Sequence, residues 1–115
     1  MNTNTNLTIS LTDYWPKADF CFRCVGDCME NAGISDGDIV FIKAQETVTN
    51  GEIAAVAIDG RAYLKQFYAT DNEITLIPKN PRYTPIVFEG NERRRVTVIG
   101  KALGILHSLE MNEGL

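Results

Sequence analysis

The sequence predicts a small all-β domain, and three features predict it. Apolar residues recur with a period of two rather than 3.6 from Leu7 onward. Turn signals such as Ser35-Asp36-Gly37-Asp38, Asp59-Gly60 and Thr70-Asp71-Asn72 cut the chain into short runs. A length of 115 residues is enough for one hydrophobic core without metal or disulfide staples. The chain carries no internal repeat, no interdomain linker and no helix-turn-helix pattern.

Met1 to Asn6 is polar and uncharged and is expected to be disordered. Residues 1–15 are assigned to this tail and a linker remnant, 16–108 to the domain, and 109–115 to a frayed C-terminal tail. Phe20, Phe22 and Cys24 alternate and face one side of a first strand. Ile39 to Lys43 forms a short second strand after the Ser35–Asp38 turn. Glu52 to Asp59 is a near-continuous apolar run, the pattern of a buried strand. Asp59-Gly60 then predicts a hairpin into Arg61 to Phe67, because that dipeptide supplies the positive φ angles of a tight turn. Thr70-Asp71-Asn72 turns the chain into Glu73 to Ile77. Pro78 and Pro81 hold an extended connection. Pro85 to Phe88 and Val96 to Ile105 complete seven or eight strands. A helical turn is expected around Met29 to Ala32.

Composition excludes several functions. Hydrophobic residues make up 44% and charged residues 23%, the balance of a soluble globular protein. A net charge of -4 leaves no electrostatic footprint for nucleic acid, so direct DNA binding by this chain is not expected. The basic cluster Arg93, Arg94 and Arg95 stands beside Glu89 and Glu92 and reads as a solvated turn. The longest apolar runs are too short for a bilayer and no export signal opens the chain, so a cytoplasmic location away from membranes is expected. Cys21, Cys24 and Cys28 are spaced C-x2-C-x3-C, yet Cys21 and Cys24 fall on opposite faces of a strand and His107 stands apart. Zinc needs about four ligands, so no metal site and no cofactor are expected, and the thiols are read as free.

The chemistry is concentrated in Val25–Asp38, VGDCMENAGISDGD, and in the strand around Lys65. Lys65 shares a face with Tyr63 and Phe67. A lysine partly desolvated between two rings is a plausible base. On these residues alone the plainer reading is favoured, a lysine that snorkels past the rings to water. Cys28 follows Gly26-Asp27 at a turn after a strand, where a side chain can be displayed and backbone N–H groups can face an oxyanion. The plainer reading, again favoured in isolation, is a small buried hydrophobe.

Taken together, the blocks resemble the LexA-like serine–lysine peptidase family, which includes phage repressors and UmuD and shares its core with type I signal peptidases. The hallmark of the family is a strand ending in Gly-Asp-Ser-Met, then a loop closing in Asp-Gly-Asp. Gly26-Asp27-Cys28-Met29 and Asp36-Gly37-Asp38 stand in that pattern. Asn50-Gly51-Glu52, Asp59-Gly60 and Tyr63-Leu64-Lys65 are similar to its second block. Leu76 to Ile86, LIPKNPRYTPI, and Val98 to Gly104, VIGKALG, are similar to its later segments.

The resemblance implies a LexA/signal-peptidase-like fold of short, coiled antiparallel strands. It implies that residue 28 attacks a scissile carbonyl while Lys65 takes and returns the proton, with the backbone N–H groups of Asp27 and Cys28 as the oxyanion hole. It also implies cleavage of an Ala-Gly or Cys-Gly bond upstream of the domain, promoted by a recombinase filament on single-stranded DNA, in SOS or prophage regulation. A homodimer is the implied assembly.

The chain departs from the family in two respects. Cysteine stands where the family has serine; a thiolate beside an ammonium can still attack, but the larger sulfur fits an oxygen-shaped site less well. Reduced or absent activity is therefore expected. No Ala-Gly or Cys-Gly bond precedes Cys28, and Ala32-Gly33 belongs to the loop after it, so self-cleavage of this chain is not expected. The alternative function is a catalytically silent dimerisation module of a repressor, with its contact near Val96 to Leu106. A signal peptidase is disfavoured because Asn31-Ala32 replaces the Pro-Thr usual in that relative.

Overall fold

The structure is a computed structural model that describes residues 15–107. The tails expected at 1–6 and 109–115, and the alternation expected from Leu7 to Asp13, lie outside the described residues. Seven antiparallel strands form one sheet: β1 (Phe20–Arg23), β2 (Ile39–Ala44), β3 (Ile53–Ile58), β4 (Arg61–Ala69), β5 (Glu73–Ile77), β6 (Ile86–Glu89) and β7 (Val96–Leu106). Their order is β1-β2-β7-β3-β4-β5-β6, so the last strand is inserted at the centre. The all-β prediction and the strand positions agree with this architecture.

Local chemistry accounts for most of the joints. Asp59 and Gly60 take φ values of 51° and 86°, the left-handed pair that lets a two-residue turn follow the twist of β3 and β4. Thr70 closes the next hairpin: its N–H donates to the Glu73 carbonyl at 2.9 Å, and its hydroxyl accepts the N–H groups of Asn72 and Glu73. The expected helical turn is a 3-10 turn at Glu30–Ala32, ended by Gly33 at φ 82°. Ala32-Gly33 thus belongs to the fold, as expected.

β7 pairs with β2 along Gly100–Leu106 and with β3 along Val96–Lys101. Phe41 opposes Gly104 and Ile42 opposes Ala102, which leaves Leu103 as an extra residue; Ile99 is extra in the same way opposite β3. Each bulge bends and further twists the strand, coiling the sheet. Glycine permits close approach at both sites. A Cβ on Gly100 would stand 2.3 Å from the Lys43 carbonyl oxygen, and one on Gly104 would stand 2.3 Å from the Trp15 indole. That indole also stacks on Phe41, with ring centroids 5.6 Å apart.

The apolar run of β3 is buried because both of its faces are covered. Ala55 packs with Val40, Ile42, Leu64, Cys24, Met29 and Ile34 on one side. Ala54 and Val56 pack with Phe67, Leu76 and Phe88 on the other. The Arg93–Arg95 cluster lies in a second 3-10 turn, Gly90–Arg95, which the sequence reading left as a solvated turn. Its helical form carries no apolar periodicity. Arg95 holds it by pairing with Asp59 at 2.7 Å and Glu92 at 2.9 Å, with its guanidinium over the Phe88 ring.

Candidate active site

The turn that carries Cys28 is tied to the Asp36-Gly37-Asp38 loop by backbone bonds. Gly26 sits at φ 93°, and its N–H donates to the Asp36 carboxylate at 2.7 Å. Cys24 N–H donates to the Asp38 carbonyl at 2.8 Å, and Gly37 N–H returns to the Cys24 carbonyl at 2.7 Å. The Arg23 guanidinium adds a bond to the Gly37 carbonyl. Asp38 is fully buried; one carboxylate oxygen accepts the Ser35 N–H at 2.8 Å and the other pairs with His107 Nδ1. His107, which the sequence leaves isolated, therefore anchors the end of β7 to this loop. Met29 follows the cysteine and is completely buried, so it pins the turn into the first core cluster. Gly26, Met29, Asp36, Gly37 and Asp38 thus build the frame rather than supply reactive groups.

Cys28 Sγ lies 3.2 Å from Lys65 Nζ. Lys65 is only 8% exposed, and its Nζ stands 5.6 Å from the centroid of the Tyr63 ring. Tyr63, Lys65 and Phe67 share the face expected from their spacing, since Tyr63 opposes Val56 and Lys65 opposes Ala54. The amine ends on the thiol, and the thiol is partly buried against the first core cluster. A proton can pass directly between sulfur and nitrogen at this distance.

The other cysteines are chemically different. Burial, reinforced by nearby Cys28, Asp38 and Asp36, pushes the Cys24 thiol up to about 11, and burial also raises Cys21. All three thiols are free.

The segment after β5 closes on the same turn, which sequence reasoning missed. Asp27 extends its carboxylate to the Tyr83 hydroxyl at 2.5 Å and to the Arg82 guanidinium. The hydrogen bond from Tyr83 and then the Arg82 charge hold the Asp27 carboxyl below its ordinary value, while the same contact raises the Tyr83 phenol. The Asp27 carbonyl accepts the Asn80 side-chain N–H at 2.8 Å, and Asn31 N–H donates to the Lys79 carbonyl at 2.6 Å. The available signal was an amide between prolines in Lys79-Asn80-Pro81-Arg82-Tyr83, a polar residue where a plain connection needs none.

Of the two N–H groups expected to form an oxyanion hole, that of Cys28 donates to no protein acceptor among the described residues, while that of Asp27 turns toward its own carboxylate. Two cavities flank Tyr63. One of about 560 Å³ is lined by Lys65, Tyr63, Arg61, Ile86, Phe88 and Arg95. The other, of about 300 Å³, is lined by Cys28, Cys24, Phe22, Val25, Tyr63 and Leu64. Each member of the dyad therefore opens onto a different cavity, with Tyr63 common to both. Among the described residues no helix is long and apolar enough to cross a membrane.

Comparison with known proteins agrees with this arrangement. A model of the family described as Peptidase S24-like matches residues 2–103. The LexA repressor of Geobacter metallireducens is 42% identical over 91 residues, 79% of this chain and 45% of the relative. The LexA repressor of Thermosipho africanus is 39% identical over 87 residues, covering 76% of this chain and 42% of the relative. That of Bacillus subtilis is 34% identical over 110 residues, covering 87% and 51%. The chain spans about half the length of these curated relatives. The strand-borne lysine meeting a turn-borne residue 28, and a family match over nearly the whole chain, lead to one assignment: this chain belongs to the Peptidase S24-like family, in a part similar to LexA repressors.

Proposed function

We propose that this domain cleaves an Ala-Gly-type peptide bond through a Cys28–Lys65 dyad, as the peptidase part of a self-cleaving repressor in SOS or prophage regulation. The observation that carries the reading is the 3.2 Å contact between Lys65 Nζ and Cys28 Sγ inside a largely buried setting. A peptide lying across Tyr63 would occupy both cavities and bring its carbonyl to the sulfur between them.

The steps follow from the groups present. Lys65 takes the thiol proton, and Cys28 Sγ adds to the scissile carbonyl. The oxygen that gains charge is met by the Cys28 N–H, with the Asp27 N–H beside it as the second donor once it leaves its own carboxylate. The Lys65 ammonium then protonates the leaving amine, leaving an acyl thioester. Its neutral amine next takes a proton from water, which hydrolyses the thioester and frees Cys28. No cofactor enters. Because a thiolate beside an ammonium is itself a stable resting pair, and sulfur is larger than oxygen, turnover below that of a serine dyad is expected.

Cleavage of a supplied Ala-Gly peptide that disappears in Lys65→Ala supports this reading. A chain that dimerises at micromolar concentration and cleaves nothing, even with an upstream cleavage segment attached, refutes it. The intramolecular form of the test matters, because tethering raises effective concentration by orders of magnitude. A recombinase–single-stranded-DNA filament is the proposed promoter of the cut, and a homodimer the proposed assembly.

The second reading, a silent dimerisation module, has its own observation. Beyond Lys101, β7 pairs only with β2 among the described residues, and Ile105 is exposed there. An unpaired strand edge is a template for a second copy. Only Gly100 and Lys101 lie between β2 and β3, and Val96–Val98 pair with β3 alone, so β7 offers a strand edge at each end of Val96–Leu106.

A further inference from the structure

The Lys79–Tyr83 segment holds a buried polar side chain that the dyad does not use. Asn80 is 5% exposed although it sits between prolines in a loop. Its orientation is fixed by its partners: Oδ1 accepts the Arg82 N–H at 3.0 Å, and Nδ2 donates to the Asp27 carbonyl at 2.8 Å. A backbone N–H only donates and a carbonyl only accepts, so the reversed amide would lose both bonds. The Asp27 carbonyl also accepts the Glu30 N–H at 3.1 Å, which engages both of its lone pairs.

That carbonyl belongs to the peptide unit joining Asp27 to Cys28. A trans peptide is planar, and its C=O and N–H point in opposite directions. Anchoring the oxygen on Asn80 therefore turns the Cys28 N–H to the far side of the unit, where it meets no acceptor among the described residues. The anchor is rigid for a reason: an amide packed in a buried loop cannot rotate without leaving polar groups unpaired.

We infer that Asn80 is a positioning residue that sets the oxyanion hole, holding the Asp27 carbonyl so that the Cys28 N–H faces the oxygen of a carbonyl under attack. The inference rests on the peptidase reading and adds to it a residue from a distant part of the chain. Asn80 touches no reacting atom. It acts through one peptide plane.

The test compares two reactions at the same sulfur. An N-acetylated peptide ending in alaninal adds reversibly to Cys28: the S–C bond forms, the C=O π bond breaks, and the thiol proton ends on the oxygen. That oxygen occupies the hole. Iodoacetamide instead alkylates Cys28 by displacement of iodide and builds no tetrahedral oxygen. Both are measured by mass spectrometry and competition on the parent, Asn80→Ala, Asn80→Ser and Arg94→Ala.

Both Asn80 variants are expected to weaken aldehyde binding by about tenfold or more, short of the roughly hundredfold or greater loss when a donor itself is removed, with alkylation changed less than about twofold. Arg94→Ala, in the exposed Gly90–Arg95 turn and lining neither cavity, is the control whose aldehyde affinity is expected to stay near that of the parent. Equal changes in both reactions, or no change in either, overturn the inference and make Asn80 a simple loop tie. A melting scan identifies a variant that has not folded; if one Asn80 variant fails, the other decides. A parent that alkylates at Cys28 but never forms the aldehyde adduct sinks the peptidase reading itself, a different result from a parent that binds and variants that do not differ.

Discussion

Lys65 and Cys28 are 37 positions apart in the chain, and their side-chain termini are 3.2 Å apart. One comes from the middle of β4 and the other from a turn after β1, strands that are separated in the sheet by β2, β7 and β3. The contact is made by a turn folding across the sheet rather than by strand pairing.

Removing the amine should slow the sulfur. In Lys65→Ala, alkylation of Cys28 at pH 7 is expected to fall about tenfold, because the amine that can take the thiol proton is gone. Peptide mapping after timed exposure to iodoacetamide gives the rate. An unchanged rate would show that the two groups do not share a proton in solution.

The three thiols should separate by pH. Cys24, buried and raised to about 11, is expected to stay unmodified between pH 7 and 8 while Cys28 reacts. Label on Cys24 should appear only as pH approaches 11 or when the protein is unfolded. Equal labelling of Cys24 and Cys28 at neutral pH contradicts the burial seen here.

Serine at position 28 should improve turnover. With an upstream Ala-Gly segment attached, Cys28→Ser is expected to cleave faster than the parent, because the shorter bonds to oxygen than to sulfur let the substrate's carbonyl oxygen settle among the N–H groups of the site. Cleavage is read as the appearance of the shorter fragment on a gel. A slower serine variant would mean that the site is shaped for sulfur.

The Asp27 clamp should respond to acid. Its carboxyl titrates below its ordinary value of 3.8, first through the Tyr83 hydrogen bond and then through Arg82. A depressed carboxyl contributes stability above its unfolded value, and that stability is lost as pH falls through the folded value. The stability difference between the parent and Tyr83→Phe is therefore expected to be present at pH 6 and to shrink below pH 3.8. Urea titrations at both pH values measure it, and a difference that persists at low pH removes Asp27 as its cause.

The Gly104 approach should tolerate no methyl group. A Cβ there would lie 2.3 Å from Trp15, so Gly104→Ala should cost about 1–3 kcal/mol by overpacking. The melting temperature falls accordingly, and Trp15 fluorescence reports the displaced indole.

Much of the fold and half of the site were legible in sequence because they depend on local chemistry. Asp59-Gly60 forces a hairpin wherever it falls between apolar runs, and alternation through Tyr63, Lys65 and Phe67 fixes which side chains share a face. Cys28 and Lys65 were identifiable from motif order, as were the Gly-Asp frames on either side of the turn. The helical form of Gly90–Arg95 was not legible, because salt bridges from Arg95 to Asp59 and Glu92 hold it rather than any periodic pattern. Nor was the pairing of His107 with buried Asp38, or the grip of Asn80, Arg82 and Tyr83 on Asp27.

The sequence by itself determined the class of fold, the strands and the turns, and it singled out the two side chains, Cys28 and Lys65, that meet. These follow from φ preferences and from burial at a period of two, which act over a few residues. Tertiary structure alone decided that β7 enters the centre of the sheet, that two bulges coil it, and that Asn80 meets the carbonyl of Asp27. Those outcomes depend on which distant surfaces exclude water together and which buried polar groups must find partners. No local rule can rank such choices, since the partners lie tens of residues away and only the closed fold brings them within a hydrogen bond.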